Sequence, residues 1–163
     1  MRKLVEFLHE IGTIMYVGGI LSHIVIGAAI GHPDASTAFH VYQYKEISAY
    51  ILILPGLGIK VVCDLVLYFG CNVRANWLKA KLAMAAFLTI NAFVFLVPMM
   101  PELLQLAKDS LPAGVVSAEF TELEEKEALV GMSNVIPLAL ELLLGAFRPK
   151  LFGERGKSGI TMA

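Results

Sequence analysis

"FLHEIGTIMYVGGILSH", Phe7 to His23, is an apolar stretch that carries two histidines, a glutamate and three glycines. At about 100° per residue on a helix, His9, Gly12, Tyr16, Gly19 and His23 fall inside an arc of about 80°. The stretch therefore reads as one helix with one distinctive face. Glycines on that face let a second backbone or something flat come close, and imidazoles can offer neutral nitrogens to a metal. Two explanations of Gly12 and Gly19 stay open at this level: ordinary helix packing, or a bed for a ligand. Ionisable residues inside such a segment are rare and usually face an interior site.

Working outward, the rest of the chain is of the same kind. Of its 163 residues, 57% are hydrophobic and only 17% charged, below the roughly one quarter usual in soluble domains. Four apolar segments, near 4–30, 47–69, 76–99 and 129–147, are long enough to cross a bilayer, which takes about 20 residues. The fold class expected is all-α, an integral membrane four-helix bundle. Residues 1–151 form the four-span domain, and 152–163 are a disordered cytoplasmic tail. The basic start mimics a signal peptide, but Glu6, His9 and Glu10 interrupt the apolar run, so a retained first helix is expected.

Arg2, Lys3, Arg74, Lys79, Arg148, Lys150, Arg155 and Lys157 share one side of a four-span chain, against Lys45, Lys108 and Lys126 on the other. The bias puts both termini in the cytoplasm of a multi-pass inner (cell) membrane protein. The "GHPDASTAFHVYQYKE" loop begins with a turn and includes one helical turn. The second helix bends near Pro55-Gly56, the chain leaves the membrane after Pro98 and Pro101, and it breaks again at Pro112-Ala-Gly. Thr121 and Glu124 have capping-box spacing, extending the fourth helix outward. Cys63 and Cys71, eight apart on one helix, cannot pair, and no C-x-x-C is present. No basic-aromatic stretch points to nucleic acid.

The third span begins "NWLKAKL". Spans one and three run in the same direction, so His9 and Lys81, each about five residues into its helix, share a depth. Lys79 and Lys81 point about 200° apart, so one can face the bundle while the other snorkels. A lysine ligates iron only as the free amine, which burial and competition from the metal both favour. The plain alternative is that both lysines anchor the helix at the interface. Lys60 and Asp64 are one turn apart on the second helix and suit an i,i+4 pair, a propionate clamp or a proton path. Glu141 either finds Lys60 or stays protonated. His9 and His23 stand about 21 Å apart along one helix, a spacing that suits two haems stacked across a bilayer; His23, His32 and His40 are further candidates for metal or haem binding.

"FLHEIGTIMYVGGIL", the "LPG" of span two, "WLKAKL" and "NVIPLALELLL" occur in an order that resembles the HemJ-type protoporphyrinogen oxidases, CopD-like four- to five-helix membrane proteins. The likeness covers about residues 4–147. It implies haem b bound by the first-helix histidine and the third-helix lysine, His9 and Lys81, with Trp77 in place and Asn134 and Pro137 matching an N-x-x-P motif. Gly12, Tyr16 and Gly19 would floor the macrocycle, with His23 beyond them. The chain departs from the family in having Tyr16 for a tryptophan, Val25 for an arginine and Asn91-Ala92 for a histidine. The implied function is redox: oxidation of a porphyrinogen substrate, or electron transfer toward quinone or another membrane redox protein. The implied partners are the lipid bilayer, the porphyrinogen and a second copy or larger complex. The competing classes are an accessory subunit and a small-solute or metal carrier.

Overall fold

A computed structural model describes residues 2–31 and 33–149. Four long helices account for almost all of it: α1 (Arg2–Ile30), α2 (Ala35–Gly70), α3 (Asn76–Ala113) and α4 (Ala118–Phe147). All four are long and apolar enough to cross a membrane. Their outward surface suits a non-aqueous neighbour, since Ile14, Val25, Ile90 and Ile136 are each more than half exposed.

The helix ends follow local chemistry. Gly31 stops α1 in the left-handed region at φ 64°, which a residue with a side chain seldom adopts. Asp34 then caps α2, accepting from Thr37 N–H at 2.7 Å, and that bond holds the Asp34 carboxyl below its ordinary range. Proline loosens the interiors. π-helical turns at Ala49–Ile53 and Ala92–Leu96 stand just before Pro55 and Pro98, which have no N–H to continue the ladder. In α4 the regular helix pauses at Asn134, three residues before Pro137, so the Ser133 carbonyl has no N–H four residues on.

The packing order is α1 on α2, α2 on α3, and α3 on α4. Tyr16, Leu57, Leu88, Ala92 and Leu138, drawn from all four helices, form the central core. A second core lies at the end that carries the 31–34 and 114–117 connections. There Ala38, Tyr42, Leu103, Ala107 and Phe120 join the outer halves of α2 and α3 to the start of α4.

This second core corrects three expectations. The segment after Gly31 is continuous helix from Ala35 and no single turn. The third helix runs through Pro98 and Pro101 to Ser110, because a helical turn can begin with proline and Pro101 costs it only one bond. The cap of α4 is Ser117, accepting from Phe120 N–H at 3.1 Å, while Thr121 sits inside the first turn. The 152–163 tail lies outside the described residues.

Candidate functional site

The site grows from three helices that bring ionisable side chains to one level. His9 of α1 and Lys81 of α3 meet with Nε2 and Nζ 2.6 Å apart. Asp64 of α2 completes the group: Lys81 Nζ donates to its Oδ1 at 2.8 Å, and His9 Nε2 stands 3.3 Å from the same oxygen. With Lys81 as the ammonium donating to both, His9 carries its proton on Nδ1 and presents the Nε2 lone pair inward.

A second pair joins the first. Lys60 of α2 binds Glu141 of α4, and the Lys81 charge is within electrostatic reach of both. Lys60, Asp64 and Glu141 are fully buried and Lys81 nearly so, at 4% exposure. Two cations face two anions, so the group is electrically balanced when both pairs are ionised. Balance is what makes such burial tolerable, since a lone charge there costs several kcal/mol. Two carboxylate oxygens, Asp64 Oδ2 and Glu141 Oε2, are nonetheless buried without a hydrogen-bond partner.

Between α1 and α4 lies a cavity of about 390 Å3, walled by His9, Lys60, Trp77, Lys81 and Glu141 among others. Its mouth carries Glu6, Glu10 and Arg148. Arg148 reaches across it, with a guanidinium nitrogen 3.7 Å from Glu6 Oε1 and its carbon 5.6 Å from the Trp77 ring centre. Gly145 borders the lysine: a Cβ built there would stand 3.6 Å from Lys81 Cε, ordinary contact.

No family model, curated protein or solved structure matches the chain.

The candidate residues divide into two groups. His9, Lys81 and Trp77 come together at the cavity. Gly12, Tyr16 and Gly19 do not floor it. A Cβ on Gly12 would lie 2.9 Å from Gly56 O, and one on Gly19 would lie 2.5 Å from an Ile53 side-chain carbon. Their face is filled by α2, so the packing explanation holds for both glycines, and Tyr16 is a core residue at 2% exposure. His23 is remote from the cluster, its Nε2 2.6 Å from Ser48 Oγ of α2. His40 is exposed on α2 against Phe39, and His32 lies outside the described residues.

The i,i+4 pairing of Lys60 with Asp64 is also corrected. Each turns to a different helix, because a cross-helix partner satisfies the charge and joins the bundle as well. Lysine-before-aspartate is the weaker order on a helix. Sequence reasoning missed the Asn91 to Asn134 bond at 2.6 Å and the Arg148 to Glu6 reach. Asn91 gave a faint signal, being an amide deep in an apolar run; Arg148 gave none. Among the described residues, no three His, Cys, Asp or Glu side chains are grouped to hold a metal ion. Any metal held here would rest on the imidazole–amine pair.

Proposed function

We propose that the chain is a multi-pass inner-membrane redox protein, both termini cytoplasmic, that holds haem b between His9 and Lys81. The observation that carries this is the meeting of Nε2 and Nζ, from two helices, at the wall of a cavity. The residues present fit the group in three respects. The donors are two nitrogens, an imidazole Nε2 and a lysine Nζ, brought together from two helices. Trp77, Ile14 and Leu142 give the cavity apolar walls. Arg148, exposed beside the cavity, supplies a cation of the kind that pairs with carboxylates.

When bound, haem supplies one-electron chemistry at a potential set by its axial ligands and their burial. The protein's own part is positional and protonic. Lys81 becomes a donor only by giving up a proton, and Asp64 Oδ1, 2.8 Å away, is the adjacent acceptor. The α1–α2 glycine contact fixes the depth of His9, and Thr13 Oγ1 donates to the His9 carbonyl at 2.8 Å within the same helix. The HemJ-type resemblance gives the reaction class: oxidation of a porphyrinogen, or electron passage to quinone or another membrane redox protein.

The absorption spectrum of the purified chain, oxidised and reduced, tests this. A Soret band is expected in the wild type and is lost in His9→Ala and in Lys81→Ala. A colourless preparation from haem-replete cells overturns the proposal. Complementation of a strain lacking protoporphyrinogen oxidase then separates an enzyme from an electron carrier.

A second reading rests on its own observation, the two buried ion pairs beside the cavity. Charged groups so placed also mark the paths of small-solute or metal carriers. A carrier keeps its activity in His9→Ala and requires no haem.

A further inference from the structure

The long walls of the cavity are α1 and α4, which pack on α2 and on α3, and the Arg148 side chain bridges the gap between them. The lining follows the helix flanks inward and is not confined to their ends. On α1 it extends from Glu6 to Ile14 and on α4 from Arg148 back to Leu142, about 12 Å and about 9 Å of helical rise. Ile14, the deepest of these on α1, is 72% exposed, and Leu142 and Ala146 are exposed too. A cavity whose apolar lining is exposed along the flank opens to whatever surrounds the helices. For a bundle placed across a bilayer, that is lipid.

Of the cations that line this slot, Lys60 and Lys81 are buried and already paired with Glu141 and Asp64, whereas Arg148 is exposed. Arg148 ends α4 in the left-handed region at φ 44°, which a residue with a side chain seldom adopts. From there its guanidinium lies near Trp77 and reaches Glu6 at 3.7 Å. That pair is long and partly exposed on both sides, so it is weak and open to exchange. Glu6 and Glu10 at the mouth repel a small anion arriving from water. An anion attached to an apolar body brings burial that offsets the repulsion.

We infer that the cavity is filled sideways from the membrane, by an amphiphile whose anionic group replaces Glu6 on Arg148 while its apolar part lies against Ile14, Trp77 and Leu142.

The inference names the class and route of what enters, and it rests on the reading above only for the placement of the bundle in a membrane. Haem, with its propionates, is one member of the class and is not required.

Trp77 is the only tryptophan of the chain, so its emission reports on the cavity alone. The test uses full chain from haem-deficient cells, in lipid, at a pH that keeps the probe ionised. The probe is stearic acid carrying a nitroxide quencher on its fifth carbon. The expected result is quenching that saturates as the probe is added. The methyl ester of the same probe, which lacks the charge, is expected to bind roughly tenfold more weakly. Arg148→Gln is expected to bind the acid no better than the wild type binds the ester, while Arg148→Lys and Arg74→Gln retain the saturable binding. A short carboxylated nitroxide that stays in water is expected to quench only in proportion to its concentration. Quenching by the acid that never saturates, equal binding of acid and ester, or an unchanged Arg148→Gln overturns the inference. Saturable quenching by the water-borne nitroxide overturns the sideways route. The acid-against-ester arm needs no variant, so misfolding does not blunt it. The absorption of chain from haem-replete cells keeps the two ideas apart. Saturable quenching in a chain that never shows a Soret band upholds this site and removes the haem, and a Soret band without saturable quenching does the reverse.

Discussion

Lys60 passes over Asp64, the acid one turn away on its own helix, for Glu141 on another. The choice has an energetic consequence, because each member of the pair is fully buried. Lys60→Met strips Glu141 of its counter-charge, and breaking a buried pair from one side costs about 3–5 kcal/mol. Lys60→Met combined with Glu141→Leu recovers most of that stability, since apolar replacement of a buried pair is often neutral or better. Chemical unfolding of the purified variants in detergent checks both; a single variant as stable as the double shows that the pair carries no such charge burden. His9 and Lys81 were legible by counting residues from the helix starts. The partner of Lys60 was legible only as a choice between Asp64 and Glu141, because spacing on one helix says nothing about what a neighbouring helix offers.

At the scale of elements, the joint between α1 and α2 rests on Gly12 and Gly56. A Cβ on Gly56 would stand 2.6 Å from Tyr16 N and 2.8 Å from Gly12 O, both backbone atoms that cannot step aside. Gly56→Ala is therefore expected to lose about 1–3 kcal/mol, the usual range for overpacking, and to shift α1 against the helix that carries Asp64. Gly58, two residues along, has no atom within 4 Å of such a Cβ, and Gly58→Ala is expected to be neutral. Thermal unfolding of the two variants side by side is the measurement; equal midpoints would mean that the backbones are not in contact. The glycine face of α1 was plain in the sequence, but its occupant was not. A stripe of small residues is the same whether a helix or a macrocycle lies on it, and only the matching glycine in "LPG" hinted at the former.

As a whole, the molecule is longer than a bilayer is thick. The 36 residues of α2 and 38 of α3 rise about 54–57 Å, against a hydrocarbon core of about 30 Å. Apolar length made the four long segments legible, and the 121–124 spacing the outward extension of α4, but not the helical extension of α2 and α3. Residues such as Glu46, Gln105 and Asp109 look like loop in a hydropathy reading, yet the Tyr42–Phe120 core keeps them helical. Lys45 binds Glu127 at 2.8 Å, and Tyr42 donates to Glu127 at 2.9 Å, so this outer lobe is tied by polar contacts as well. The lobe is acidic and the opposite end basic, and α3 alone separates Arg74 from the far connection. That arrangement fixes a test of orientation. In a chain with Cys63 and Cys71 replaced by alanine, Glu122→Cys is expected to react with a membrane-impermeant maleimide in intact cells, its parent side chain being 71% exposed. Arg74→Cys is expected to react only after the membrane is opened, because its lysine and arginine excess predicts that this end faces inward. Labelling of both from the same side would mean that α3 does not cross, and the cluster at Lys81 would then lose the dry surroundings on which its chemistry rests.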